Sequence, residues 1–143
     1  MATIDSMDAA RATRYKEKLE LMEKRYSEIS EWLKDEANEK TRLAIFKAFQ
    51  ELSEAAIDIC AMIVKDEGAF PKDDYSNITF LKEKNIAGGK TAAILRDSNG
   101  LRNVLIHRYN TVDEETAFSS IKKISPEFKS FEKEVKSWLK KRL

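Results

Sequence analysis

The sequence predicts an all-α fold, on two observations. Two prolines and four glycines in 143 residues, set against abundant Lys, Glu, Leu and Ala, force few helix breaks and supply little of the turn chemistry that sheets need. Apolar residues also recur at alternating steps of three and four, the spacing that gathers side chains on one helical stripe. The expected architecture is an up-and-down bundle of about five to six helices. It forms a single domain over residues 1–143, with residues 1–12 left unstructured, a length that supports one core rather than two.

Each element has its own signature. Tyr15, Leu19, Met22, Tyr26, Ile29 and Leu33 form the stripe of a first long helix, with charged residues between them. Asn38 reads as the N-cap of a second, which carries Phe46, Phe49, Leu52, Ala56, Ile59 and Ile63 and stops at Gly68. A loop around Pro71 leads to a shorter helix holding Ile78 and Leu81, interrupted at Gly88-Gly89. A fourth helix runs from about Lys90 to Tyr109, and Asp113 caps a short fifth. Ser125-Pro126 supplies a cap and a first-turn proline before Phe128, Phe131, Val135, Trp138 and Leu139.

Charge excludes some functions. With 26 basic and 25 acidic residues, the net charge of +1 gives no global field for nucleic acid or a membrane surface. The N-terminus lacks an apolar signal core, and no stretch approaches the roughly 18 apolar residues of a membrane span. The single cysteine, Cys60, rules out an internal disulfide and reads as core packing in a reducing compartment. A cytoplasmic protein is expected.

The chemistry concentrates on the fourth helix. At about 100° per residue, with Arg102 at zero, Ile94, Leu101, Val104 and Leu105 fall between about 200° and 300°, the expected core stripe. Arg96, Asn99, Gly100, Arg102, Asn103, Ile106 and His107 fall between about 0° and 160°, a face rich in phosphate-binding groups. Ile106 within that face, and Gly100 where another backbone could approach, suit a partner surface.

The run Gly100-Leu101-Arg102-Asn103-Val104-Leu105-Ile106-His107-Arg108-Tyr109, followed by Val112-Asp113, resembles the Arg-x4-His-x-Tyr signature of HepT-like HEPN toxins. Gln50, Glu54-Ala55, Asp58, Pro71, Tyr75 and the Gly88-Gly89 break extend the resemblance over about residues 15 to 140. It implies a homodimeric helical bundle acting as a metal-independent endoribonuclease, without cofactor, whose cleft lies at the dimer interface. It also implies a nucleotidyltransferase-type (MNT) antitoxin that neutralises the toxin, with Tyr109 matching a tyrosine that receives a nucleotide. Arg108, between His107 and Tyr109, departs from the usual pattern.

RNA brings its own nucleophile, the 2′-OH, so cleavage needs a proton acceptor, a proton donor and a cation. His107, the only histidine, suits acid/base work near neutrality. Arg102 suits two-point phosphate binding, and Asn103 suits orientation of the phosphate or the imidazole. Two copies of His107 in one cleft would divide the acid and base roles. Asp58, Glu54 and Arg96 stand as possible supporting residues.

Other signals are set aside. Gly88-Gly89-Lys90-Thr91 lacks the first glycine of a P-loop and any preceding strand. One cysteine and one histidine cannot build a zinc site. The aromatics sit at core spacing, so no stacking platform is expected, and the basic end Lys136, Lys140, Lys141 and Arg142 suits a helix C-terminus. The rival reading is a non-catalytic helical module that binds a nucleotidyltransferase or a nucleotide.

Overall fold

The computed structural model describes residues 7–35, 37–107 and 113–143. Among these residues there are no strands, and six α-helices follow in order. They are α1 (Ala9–Trp32), α2 (Glu39–Asp66), α3 (Asp74–Glu83), α4 (Gly89–His107), α5 (Glu114–Ile124) and α6 (Phe128–Lys140). A 3₁₀ turn follows α1, and another, Ser125–Glu127, joins α5 to α6.

The helices start and stop where backbone chemistry allows. Asn38 accepts from the N–H groups of Lys40 and Thr41, and Asp113 accepts from Glu115 N–H and Thr116 Oγ1. Both satisfy orphan donors of a first turn. Gly68, at φ 85°, ends α2 in a left-handed residue, with Gly68 N–H donating to Lys65 and Ala69 N–H to Val64.

Three local features differ from the sequence reading. The helix with Ile78 and Leu81 stops before Gly88, because Asn85 adopts φ 58° and Ile86 N–H closes onto the Leu81 carbonyl. Asparagine tolerates that conformation as glycine does. Ser125 does not cap α6, since its buried hydroxyl donates to the Ile121 carbonyl at 2.7 Å. Residues 7–12 are ordered: Asp8 caps α1 through Arg11 N–H, while Met7 is buried and its N–H donates to the Arg142 carbonyl. Residues 1–6 lie outside the described residues.

The long helices α1 and α2 pack as a hairpin, α6 lies along α1, and α4 rests on α2 and α3. The expected stripes form the core: Tyr15, Met22, Ile29, Phe49, Phe128 and Phe131 are fully buried. Truncating one such phenylalanine removes about 3–5 kcal/mol. Two phenols at the rim are paired, with Tyr15 Oη donating to Asp66 at 2.6 Å and Tyr26 Oη to Glu132 at 2.8 Å. Burial pushes both phenols up, although Arg11 and Arg142 oppose it at Tyr15. Cys60 is buried and unbridged, as expected of core packing. Arg142 of the basic C-terminal end stacks over Trp138 and pairs with Glu67 at 2.6 Å, so it closes the bundle.

Candidate functional site

The site is built on α4, whose start is fixed from across the bundle. Glu134 of α6 accepts from Gly88 N–H at 3.0 Å and from Thr91 Oγ1 at 2.8 Å. A carboxylate therefore occupies the positive end of α4, and Gly88-Gly89-Lys90-Thr91 is the turn into this helix, as its sequence context suggested.

The buried arc of α4 differs from the expected one. Thr91, Ala92, Leu95, Ser98, Asn99 and Leu105 are buried. Val104 is 39% exposed, while Ile94 and Leu101 are only partly covered. The arc turns toward Arg102 because α2 and α3 offer α4 small and polar partners. Ser98 donates to Ser53 at 3.0 Å in the buried α2–α4 seam. Close helix contact through small hydroxyl-bearing residues carries no hydropathy signal, so the apolar stripe alone points elsewhere.

Arg102 consequently lies in a seam rather than on a solvated face. Its side chain is 16% exposed. Its Nη2 donates to Asn103 Oδ1 at 3.1 Å and to Asp74 Oδ2 at 3.4 Å. Asp74 opens α3 and also sits near enough to Cys60 that, after burial itself, its charge helps push the thiol up. One turn before Arg102, Asn99 is fully buried with neither amide atom bonded, and Arg102 Nε is likewise buried without a partner. Each such group costs about 1–3 kcal/mol, as do Trp138 Nε1 and Glu132 Oε2, buried without a hydrogen-bond partner on α6.

The other candidates occupy different places. Arg96 lies two turns before Arg102 and donates to Thr79 Oγ1 of α3 at 2.7 Å. Asp58 pairs with Lys18 at 2.7 Å, and Glu54 accepts from Gln50 at 3.2 Å. The carboxylate found at Arg102 is therefore that of Asp74, which the sequence reading did not single out. Its distance of 28 positions along the chain left no local signal.

Gly100 faces α3 as well, since a Cβ built there would meet Tyr75 Oη at 3.6 Å. The close approach is made within the chain. His107, the last residue of α4, is exposed, and its imidazole makes no hydrogen bond to another described residue. It stands five residues beyond Arg102, roughly 7.5 Å along the axis and about 140° around it. Tyr109, with Arg108 and Val112, lies outside the described residues.

Fold and site define a helical bundle whose inner helix presents a seam-held arginine, an asparagine beside it and an exposed terminal histidine. The chain belongs to the HepT-like ribonuclease family: the family model described as Ribonuclease HepT-like matches residues 14–135. The family is one of ribonucleases, so the broad activity class is RNA cleavage.

Two proteins of Archaeoglobus fulgidus, both named provisionally as RNases, are similar in sequence. One is 40% identical over 92% of this chain and 97% of its own length, and the other 38% identical over 72% and 76%. The tri-AMPylated HEPN toxin of Shewanella oneidensis, solved in complex with an MNT antitoxin, shares the fold at TM-score 0.80. It is 18% identical, covering 92% of this chain and 99% of that one. YutE, a cytosolic protein of unknown function from Bacillus subtilis, superposes at TM-score 0.82 with 18% identity, covering 92% of both chains. Among the described residues, no helix is long and apolar enough to cross a membrane.

Proposed function

We propose that this protein is the toxin of a toxin–antitoxin pair. It is an endoribonuclease that works as a symmetric dimer and is neutralised by an MNT-type nucleotidyltransferase. The observation that carries this reading is Arg102, a guanidinium held in the α3–α4 seam by Asp74 and Asn103, on the helix that ends in the exposed His107.

In the proposed reaction the RNA 2′-oxygen attacks the adjacent phosphorus and the bond to the 5′-oxygen breaks. One imidazole accepts the 2′-OH proton, and a second donates a proton to the departing 5′-oxygen. Arg102 neutralises the charge that grows on the phosphoryl oxygens. Asn103, bonded to Arg102, orients it or the phosphate. Because the nucleophile belongs to the substrate, this scheme needs no metal.

Each chain has one histidine, so the two proton transfers call for two chains. Val104 and Ile106, 39% and 41% exposed, flank His107 along α4 and supply apolar surface for two-fold pairing. Transfer of a nucleotide to Tyr109 would set negative phosphates two residues from His107 and repel the substrate. The toxin–MNT complex of the similar fold supports such a partner.

The test is incubation of the purified, unmodified dimer and of His107→Ala with tRNA and mRNA in EDTA. Cleavage by the wild type alone, leaving cyclic phosphate ends, is the expected result. Intact RNA with a correctly assembled dimer would overturn it in favour of a binding module.

A further inference from the structure

The loop after α2 and the first turns of α3 display aromatic rings that the catalytic scheme leaves unused. Phe70 is 89% exposed and Tyr75 43%, whereas Phe46, Phe49, Phe118, Phe128 and Phe131 are all buried. The loop that carries Phe70 is held in place. Asn77, itself buried, accepts from Lys72 N–H at 2.8 Å and donates to the Lys72 carbonyl at 3.2 Å. A groove of about 670 Å³ runs beside these rings, lined by Phe70, Tyr75 and Phe80 together with Lys72, Ser76 and Thr79.

The α3 wall of that groove packs on the Arg102 helix. Successive turns of α3 meet successive turns of α4: Asp74 contacts Arg102, Tyr75 lies against Gly100, and Thr79 accepts from Arg96. Arg96 and Arg102 thus stand behind α3 as seen from the groove, and Lys72 is the cation that lines it. The acids nearby are mostly engaged, Asp74 with Arg102 and Asp73 with the amide and hydroxyl of Ser76, while Glu83 lies at the far end.

We propose that this strip is the subsite for the unpaired nucleotides that flank the scissile phosphate of single-stranded RNA. Tyr75 and Phe70 stack on successive bases, and Lys72 meets the phosphate between them. Unpaired bases offer two π faces to any ring presented at the surface, and cations beside the rings track the backbone. Hydroxyls and a lysine alternate with the rings along the groove, a mixture that suits a nucleotide strand better than an apolar helix. Duplex RNA, whose bases are already stacked, gains nothing from the rings, so the strip also selects for single strands.

The proposal rests on the ribonuclease reading, and the experiment separates the two. A single-stranded oligoribonucleotide carrying 2′-O-methyl groups, which cannot be cleaved, is titrated by fluorescence anisotropy into wild type, Phe70→Ala, Tyr75→Leu and Tyr75→Phe. Phe70→Ala and Tyr75→Leu are each expected to weaken binding about tenfold, and Tyr75→Phe to leave it unchanged. An oligomer of equal length with abasic sites should bind wild type as weakly as the two ring-deleted variants. Phe70 is so exposed that its removal leaves the fold intact, which keeps the test decisive even where Tyr75→Leu misfolds. Unchanged RNA affinity in Phe70→Ala overturns the subsite while leaving a cleaving wild type as a ribonuclease. Wild type that neither binds nor cleaves RNA overturns both readings. Loss of antitoxin affinity in Phe70→Ala, with RNA affinity intact, assigns the ring to a protein interface instead.

Discussion

The α1–α2–α6 core and the α3–α4 seam are built by different rules. Large apolar and aromatic side chains at helical spacing fill the core, where Tyr15 tilts against Trp138 at 5.4 Å between centroids. The seam is assembled from Arg96, Gly100 and Arg102 facing Thr79, Tyr75 and Asp74, continued by Ser98 against Ser53 of α2, with polar contacts instead of bulk. Core burial supplies most of the stability. The seam leaves the Asn99 amide buried and unbonded beside the arginine, and the core likewise leaves the Trp138 indole nitrogen without a partner. Stability and chemistry are thus separated, and substitutions in the two regions should report on different properties.

The largest expected effect falls in the core. Phe49→Ala, at a fully buried ring, should cost about 3–5 kcal/mol in urea denaturation and leave the cleavage rate per folded molecule unchanged. A matching loss of intrinsic rate would show that the two regions are coupled.

Arg102→Lys reverses the pattern. It should lower cleavage about a hundredfold while moving the melting temperature by only a few degrees, because lysine keeps the charge and loses the two-point geometry. Equal activity would remove Arg102 from the phosphate.

Asn99→Leu sharpens the contrast further. An apolar side chain of the same branching relieves an unbonded buried amide, so stability should rise by about 1 kcal/mol, read by thermal melting. A fall in stability would mean that the amide is satisfied in solution.

The smallest effect belongs to Asp73, which caps α3 at the outer edge of the seam. Hydrogen bonds from the Ser76 amide and hydroxyl hold its carboxyl below the usual range. A lowered folded pKa means that its contribution is present above the unfolded value, near about 3.9, and is lost as pH falls through the folded one. The stability gap between wild type and Asp73→Ala should therefore be open at neutral pH and close in acid. A gap that stays constant into acid would remove the charged cap from the account.

The same contrast explains what the sequence made legible. The stripes from Tyr15 to Ile29 and from Phe128 to Leu139 are buried as their spacing requires, because packing of large apolar residues follows the helical period directly. Asn38, Asp113 and Gly68 act as local punctuation and could be read within four residues of chain. The seam obeys no such period. Asp74 reaches Arg102 across 28 positions and Glu134 reaches Thr91 across 43, and neither contact changes a hydropathy pattern. Val104 shows the cost of relying on that pattern, since its apolar side chain points outward while Asn99 is enclosed. Arg102, Asn103 and His107 were singled out as residue types suited to phosphate and proton transfer, but their surroundings emerge only from tertiary packing.

The central claim is that two copies of His107 serve one cleft of a two-fold dimer. It is tested most directly by co-refolding wild type and His107→Ala in varied proportions and measuring the initial rate of RNA cleavage. If one histidine accepts the proton and the other donates it, only the homodimer of wild-type chains is active. The rate should then follow the square of the wild-type fraction, with about a quarter of full activity at equal mixing. A linear decline, with about half the activity remaining at equal mixing, would contradict the shared cleft and place both proton transfers within a single chain.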